Sequence, residues 1–211
     1  AAQLAGGAQV DPRPRMSPVR EKDTLTPPGD YVVVYPATGP YSPARNWPIG
    51  AFRELVLTLN RRGTQVVLAG AADAVPLAAE IGRGLEHCLD LTGQTSLQQL
   101  IGLMQRARAV VGGDSFIGHM ASALGRPSVT LFGPSNADAW RPVGAVRASG
   151  QRALPRATAI ALDAGFPCSP CLYTGFALGR PEGCPDRTCM RALTPRRVLD
   201  ALDVVMATAD E

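Results

Sequence analysis

The chain has 211 residues, of which 45% are hydrophobic and 18% are charged, which is enough for one substantial hydrophobic core. Its formal net charge of +3 comes from 21 basic and 18 acidic residues, the arginines are dispersed, and aromatic residues make up 5%. This balance excludes the basic patch and the stacking surface of a nucleic-acid-binding protein, and no apolar run is long enough to span a bilayer.

Residues 1–30 differ in composition from everything that follows. They contain a Gly-Gly pair, several prolines and mixed charges, and they show no periodicity. We therefore predict a linker or a poorly ordered tail for this segment. One α/β domain is predicted over residues 31–193, followed by a C-terminal helix within residues 194–211.

From residue 31 onward, short apolar runs alternate with segments of helical spacing. The runs predict buried parallel strands at 31–35, 64–69, 88–91, 107–111 and 128–132, with helices between them. This alternation predicts a Rossmann-like, doubly wound parallel sheet with helices on both faces. After residue 134 the pattern weakens to short strands at 143–147 and 158–162, a loop at 166–190 and a closing helix at 195–207.

The segment around Asp114 is typical of an anion-binding turn. An apolar strand breaks at Gly112-Gly113, Asp114 and Ser115 offer side chains that cap a helix, and His119 follows one turn later. Free amides and the helix dipole favour a phosphate at such a helix start. The alternative is structural, with Asp114 acting only as a helix cap and His119 as a half-buried histidine.

Three stretches of the sequence resemble one known family. GGDSFIGHMASALGRPSVTLFGPS resembles the D-[ST]-G-x-x-H…A-x-G-x-P…L-[FY]-G-P-[ST] segment of the glycosyltransferase family 9 heptosyltransferases. YPATGPYSPARNWPIGAFREL resembles the first loop of their donor domain, and HCLDLTGQTSLQQLIGLMQRARAVVGGDS resembles their D-L-x-G-x-[TS]-x-L…DS run. The likeness covers roughly residues 31–207. Phe116 stands where the family usually has glycine.

This resemblance implies the C-terminal half of a GT-B fold, which binds a nucleotide-diphosphate sugar. The implied reaction transfers heptose from ADP-heptose to a lipopolysaccharide-core or related glycan acceptor, in the cytoplasm or peripherally at the inner face of the membrane. The catalytic base, an Asp, is implied to lie in an N-terminal acceptor domain that these residues do not include. No D-x-D motif stands near the site, so no obligatory metal or other cofactor is expected.

The resemblance also assigns roles within the donor site. Arg45 neutralises the leaving diphosphate unless it is an ordinary surface arginine, Ser115 holds a phosphate, and Asp114 orients sugar hydroxyls. An acidic residue near position 73 serves the ribose, the base lies beside position 92, and Ser135 with Asn136 closes the mouth. The implied donor-binding residues are Thr38, Ser42, Arg45, Gly70, Asp73, Thr92, Gly93, Asp114, Ser115, Phe116, Gly118 and His119.

Four of the five cysteines cluster in sequence, and Cys88 stands apart in an apolar strand. The spacing C-x2-C-x12-C-x4-C resembles that of a structural zinc knuckle. Two disulfides and free thiols remain as alternatives, and a cytosolic location disfavours the disulfides. The four candidate zinc ligands are Cys168, Cys171, Cys184 and Cys189.

Two other functions stay open at this stage. One is a GT-B-shaped nucleotide-sugar epimerase, which would release an altered sugar without an acceptor. The other is a non-catalytic module that holds a nucleotide sugar but lacks a base. The nucleotide that binds would narrow the choice further.

Overall fold

A computed structural model describes residues 14–17, 25–172 and 182–211. Within these residues seven strands form one sheet of order β3-β2-β1-β4-β5-β7-β6, and every neighbouring pair is parallel. The first five strands follow the order of a doubly wound nucleotide-binding sheet, so the predicted fold class is confirmed. The strands are β1 Tyr31–Tyr35, β2 Gln65–Leu68, β3 Cys88–Asp90, β4 Ala109–Gly113, β5 Ser128–Phe132, β6 Val146–Ser149 and β7 Ala159–Asp163.

The helices begin at recognisable sequence signals. Ser96 and Gln99 form a reciprocal capping box, and the Thr194 hydroxyl accepts from the Arg197 amide ahead of a first-turn proline. Short 3-10 turns occur at Pro43–Arg45 and Ala72–Ala74. The helices of the described residues are α1 Ile49–Arg61, α2 Val75–Gly82, α3 Leu97–Arg106, α4 Phe116–Ala123, α5 Ala137–Trp140, α6 Thr188–Arg191 and α7 Pro195–Ala209.

The sheet has an apolar layer on each face. Helices α1, α2 and α7 cover one face, and their buried side chains pack with alternate residues of the strands. Helices α3 and α4 cover the other face. All residues of β1, β4, β5 and β7 are buried, which explains why these strands are continuous apolar runs in the sequence.

The end of β4 differs from the prediction. Gly112 and Gly113 were expected to break the strand, but β4 includes both of them. A Cβ at Gly113 would lie 2.4 Å from Cγ2 of Thr38, and one at Gly112 would lie 2.9 Å from the carbonyl oxygen of Tyr35. The two glycines therefore let the loop after β1 pack closely against the strand.

Two other predicted segments can be compared with the structure only in part. Residues 14–17 and 25–30 carry no helix or strand, whereas 1–13 and 18–24 lie outside the described residues. The predicted cysteine-rich loop at 166–190 contains α6, and its residues 173–181 also lie outside the described ranges. Among the helices that are described, none has the length and apolar character needed to cross a membrane.

Candidate functional site

The candidate site lies where the carboxyl ends of β1 and β4 meet. The two strands are parallel neighbours, with Tyr35 opposite Gly112. The loops that follow them therefore open at the same edge, which is the usual ligand-binding edge of such a sheet. The β1 loop carries the turn Pro43–Arg45, and β4 leads directly into Asp114 and α4.

Arg45 reaches from the β1 loop to the end of β4. Its Nη1 donates to the Asp114 carbonyl at 2.8 Å, and its Nη2 donates to the Thr38 carbonyl at 3.1 Å. Oδ2 of Asp114 lies 3.8 Å from Nη1, and the buried Nε has no hydrogen-bond partner among the described residues. Two carbonyls thus fix the guanidinium in position, and N–H groups remain for an anion.

Thr38 is held by a residue that the sequence analysis did not single out. The Thr38 amide and hydroxyl both donate to Oδ1 of Asn46, at 3.0 and 2.6 Å. The Ser42 carbonyl accepts from the Arg45 amide at 3.2 Å, and Ser42 is fully buried inside the loop. The loop is therefore pre-organised by its own hydrogen bonds, with Asn46 at its base.

Asp114 is 7% exposed, and its Oδ2 accepts a 2.5 Å hydrogen bond from the Ser135 hydroxyl. Burial raises the pKa of Asp114 above its ordinary value, and the Ser135 hydrogen bond with the charges of Arg45 and His119 offsets only part of this effect. A buried carboxylate that the fold disfavours in its charged form is typical of functional sites.

Ser115 takes the N-cap position of α4, but its side chain makes no capping hydrogen bond. Ser115 thus occupies one of the two predicted cap positions, but the side-chain hydrogen bond expected of a helix cap is not formed. Ser115 Oγ is buried and has no partner within the part of the chain that the structure describes. His119 is exposed one turn further along α4, close enough for its charge to act on Asp114. The helix start thus retains unused hydrogen-bond donors.

A second part of the same edge follows β2 and β3. A Cβ at Gly70 would lie 2.9 Å from Cβ of Ala74 and 3.1 Å from Cγ2 of Thr92, so the two loop ends touch there. The Gly93 amide donates to the Gly70 carbonyl at 2.9 Å. The hydroxyl of Thr92 is buried and lacks a hydrogen-bond partner among the described residues.

Asp73 is exposed on the turn after β2 and lies near Tyr35. Burial raises the pKa of the Tyr35 hydroxyl, a hydrogen bond with the Ala71 backbone lowers it, and the charge of Asp73 raises it further. Tyr35 therefore connects the β2 loop to the β1 end of the cleft.

Phe116, the first residue of α4, is 47% exposed. Its ring meets that of Tyr35 edge-on, with centroids 5.4 Å apart. Gly118 has a different environment, because a Cβ there would lie 2.4 Å from Oγ1 of Thr130. Phe116 is therefore exposed beside Tyr35 at the start of α4, whereas Gly118 belongs to the contact between α4 and β5.

The two residues predicted to close the mouth of the donor site, Ser135 and Asn136, have different roles in the structure. Ser135 hydrogen-bonds to Asp114, whereas the Asn136 side chain accepts from the amides of Asp138 and Ala139 and so caps α5. The anchoring roles of Asn46 and Tyr35 were missed by sequence reasoning. The only sequence signal for Asn46 is a polar residue just ahead of the Trp-Pro pair.

The four clustered cysteines are free thiols in the structure. Burial raises the pKa of Cys171 and Cys189, and the charges of the neighbouring cysteines add to this, which places the sulfurs in one region. Over the described residues, however, no three His, Cys, Asp or Glu side chains are grouped so that they could hold a metal ion. The geometry does not support the predicted zinc site, which stays a prediction.

The sheet order, the edge cleft and the DS-x3-H start of α4 can now be compared with known proteins. A sequence model of glycosyltransferase family 9 (heptosyltransferase) matches residues 8–157. The chain belongs to glycosyltransferase family 9.

Relatives of this chain include lipopolysaccharide heptosyltransferases, which are glycosyltransferases. Lipopolysaccharide heptosyltransferase 2 of Salmonella typhimurium is 38% identical over 108 residues, which are 49% of this chain and 31% of that protein. Lipopolysaccharide heptosyltransferase 1 of Pseudomonas aeruginosa is 31% identical over 173 residues, which are 77% of this chain and 44% of that protein.

Solved structures of this family share the fold. The ADP-heptose lipopolysaccharide heptosyltransferase II of Escherichia coli matches with a TM-score of 0.63 and 27% identity, over 86% of this chain and 48% of that one. The chain thus spans less than half the length of each of these three proteins.

Proposed function

We propose that this chain binds the nucleotide-sugar donor of a heptosyltransferase, at the cleft between the β1 loop and the start of α4. The proposed reaction transfers heptose from ADP-heptose to a lipopolysaccharide-core or related glycan acceptor. The family and the names of its relatives support the reaction, and the E. coli neighbour, 27% identical, is named for ADP-heptose.

The observation that carries the proposal is the set of unused hydrogen-bond donors around Arg45. The guanidinium is fixed by two carbonyls at 2.8 and 3.1 Å, and its Nε and the Ser115 hydroxyl are buried without partners among the described residues. Such donors cost free energy in the folded state unless a ligand satisfies them. A diphosphate, with several acceptor oxygens and negative charge, meets this requirement.

In the proposed reaction, Arg45 and the start of α4 stabilise the negative charge that grows on the leaving diphosphate. Asp114, fixed by Ser135, orients hydroxyls of the transferred sugar, and His119 donates to the diphosphate from the exposed face of α4. The acceptor hydroxyl also needs a base. We propose that this base belongs to a separate acceptor-binding domain.

The nucleoside is proposed to lie across the ends of β1, β2 and β3. Asp73 is exposed there to accept from ribose hydroxyls, and the unpartnered hydroxyl of Thr92 with Gly93 faces the base. Phe116, half-exposed against Tyr35, offers an apolar ring at the opening of this part of the cleft. A lipid-linked acceptor would bring the enzyme to the inner face of the membrane as a peripheral protein.

Structural zinc at the four cysteines is a separate proposal, independent of the donor site. It rests only on the C-x2-C-x12-C-x4-C spacing of the cysteines. Metal analysis of the purified chain tests it, with one equivalent of zinc expected. A chain that folds without bound metal would refute it.

Calorimetric titration with ADP, UDP and GDP tests the proposed donor. ADP is expected to bind best. Because we propose that the base belongs to a separate acceptor-binding domain, these 211 residues alone are expected to show negligible sugar transfer. A full-length relative that contains both the donor-binding and the acceptor-binding domain should transfer the sugar under the same conditions. Sugar release or epimerisation by the chain alone would instead support the epimerase, and the absence of any nucleotide binding would overturn the proposal.

A further inference from the structure

A second pocket opens beside the β1 loop at the same edge of the sheet, and Arg45 is not among its described lining residues. It has a volume of about 420 Å³, within the range of small-molecule sites. Its floor is made of buried apolar side chains, including Trp47, Phe52 and Met190. The indole Nε1 of Trp47 donates to the Leu193 carbonyl at 2.7 Å, so that nitrogen already has its hydrogen bond.

Two arginines form one rim of this pocket. Arg187 Nη1 donates to the Pro43 carbonyl at 3.2 Å, and Arg191 Nη2 makes a 3.4 Å contact with the Pro185 carbonyl. Neither arginine has an ion pair with a carboxylate in the part of the chain that is described, and no described pocket-lining residue is acidic. The two arginines therefore place positive charge beside an apolar floor, with no acidic residue in the described part of the lining.

Asn46 stands between this pocket and the donor cleft. Its Oδ1 accepts both hydrogen bonds from Thr38, and the residue also lines the second pocket. With Oδ1 engaged by Thr38, the remaining hydrogen-bonding group of this side chain is its amide nitrogen. The Arg187 bond to Pro43 holds the same turn that carries Arg45. The two sites thus share one loop but use different cations.

We propose that this second pocket binds a sugar that carries a phosphate or a carboxylate. Guanidinium forks pair with both groups, the Asn46 amide can donate to a hydroxyl, and the apolar floor suits the C–H face of a sugar ring. The pocket is too large for a bare anion alone. Under the proposed function this acid group belongs to the acceptor, because Arg45 and Ser115 already account for the donor diphosphate.

The test uses glucose 6-phosphate, glucuronate, methyl glucoside and inorganic phosphate as probes, titrated into the full chain by calorimetry. Both acidic sugars are expected to bind at least about tenfold more tightly than methyl glucoside and inorganic phosphate. Arg187→Gln with Arg191→Gln should weaken the acidic sugars by roughly tenfold to a hundredfold. Arg191→Gln alone, which keeps the Arg187 bond to Pro43, should leave ADP affinity within about twofold. Arg61→Gln, an exposed arginine at the end of α1, is the matched control and should change neither.

The variants separate this inference from the donor assignment. Arg191→Gln alone removes one cation without touching the Pro43 contact, so it remains informative if the Arg187 variant folds poorly. Acidic sugars that bind equally well to the arginine variants, or that are lost with Arg45→Ala instead, would overturn the second site. Inorganic phosphate binding as tightly as glucose 6-phosphate would overturn the sugar assignment. If Arg45→Ala loses ADP binding but still binds the acidic sugars, the result supports a second site that is separate from the donor site.

Discussion

Two buried aspartates at the carboxyl edge of the sheet have opposite electrostatic environments. Asp114 follows β4 and is 7% exposed, and Asp163 ends β7 and is 5% exposed. Burial alone would raise the pKa of Asp163, but hydrogen bonds from Arg147, Ser149 and the Gly165 amide lower it below its ordinary value. The pKa of Asp114 is raised by burial despite its partners.

The difference lies in how completely each carboxylate is satisfied. Asp163 accepts from Arg147 Nε at 2.7 Å, from the Ser149 hydroxyl at 2.7 Å and from the Gly165 amide at 2.8 Å. Asp114 has one short hydrogen bond from Ser135, and Arg45 bonds instead to its main-chain carbonyl. A complete network stabilises the fold, whereas an incomplete one leaves hydrogen-bonding capacity for a ligand.

The largest effect on ligand binding is expected from Arg45→Ala. It removes a charge-assisted contact to the proposed diphosphate, worth about 1.5–3 kcal/mol, so ADP affinity should fall roughly tenfold to a hundredfold. Calorimetry measures the affinity, and a thermal melt shows whether the variant is folded. Unchanged affinity in a folded variant would mean that Arg45 serves only to hold the loop.

Asp163→Asn should have the largest effect on stability. It removes the carboxylate that accepts from Arg147 Nε, while the ion pair of this 37% exposed arginine with Asp138 remains, so after allowance for solvent screening we expect a loss of about 2 kcal/mol. This corresponds to a melting temperature lower by about 4–8 °C, with no change in ADP affinity.

The pH dependence of the Asp163 effect has a defined sign. Because the folded-state pKa is lowered, the stabilisation is present above the unfolded value of about 3.9 and is lost as the pH falls through the folded value. Melting curves of wild type and Asp163→Asn should therefore converge only in strong acid. A constant difference down to the lowest pH would show that the charge is not the cause.

The same substitution at the other aspartate should act in the opposite direction. Asp114→Asn removes a carboxylate whose pKa is raised, so the variant should gain up to about 1 kcal/mol at neutral pH while donor binding weakens. The gain should shrink as the pH falls through the raised pKa and disappear below about 3.9, where wild-type Asp114 is protonated in both the folded and the unfolded state. A variant destabilised at neutral pH would place Asp114 with Asp163 as a structural residue.

The smallest effect is expected at His119. Because this side chain is exposed, His119→Ala should weaken ADP binding by only about twofold to fivefold and leave the melting temperature unchanged within about 1 °C. His87 is the matched control, since it is the other histidine of the chain and lies exposed before β3. Equal losses of ADP affinity in His119→Ala and His87→Ala would show that His119 is not part of the donor site.

The sequence predicted the fold well because each buried parallel strand is a continuous apolar run. The start of α3 and the start of α7 followed from capping residues. The end of β4 was predicted wrongly. Gly112 and Gly113 are required by close contacts with Tyr35 and Thr38, which are distant in sequence, and not by a break in the strand. Local patterns indicate where a chain bends, but not which neighbours require a residue to be small.

The candidate site was predicted as a set of residues but not as a network. Arg45 and Asp114 are 69 positions apart, and no local pattern shows that the arginine donates to the main-chain carbonyl just after β4 while lying 3.8 Å from the carboxylate of the same residue. No local pattern indicated that Asp163 has more hydrogen bonds than Asp114 either, because its partner Arg147 lies on another strand. The fold class can be predicted from hydrophobic periodicity, whereas the hydrogen bonds and ion pairs of each charged side chain depend on tertiary contacts.

The crystal structure of this chain with ADP bound would test the central claim most directly. The account predicts the diphosphate between Arg45 and the start of α4, with oxygens within about 3 Å of the guanidinium and of Ser115 Oγ. Asp163 and Arg147 should remain paired and out of contact with the nucleotide. A diphosphate bound at Arg147, or in the pocket of Arg187 and Arg191, would contradict it.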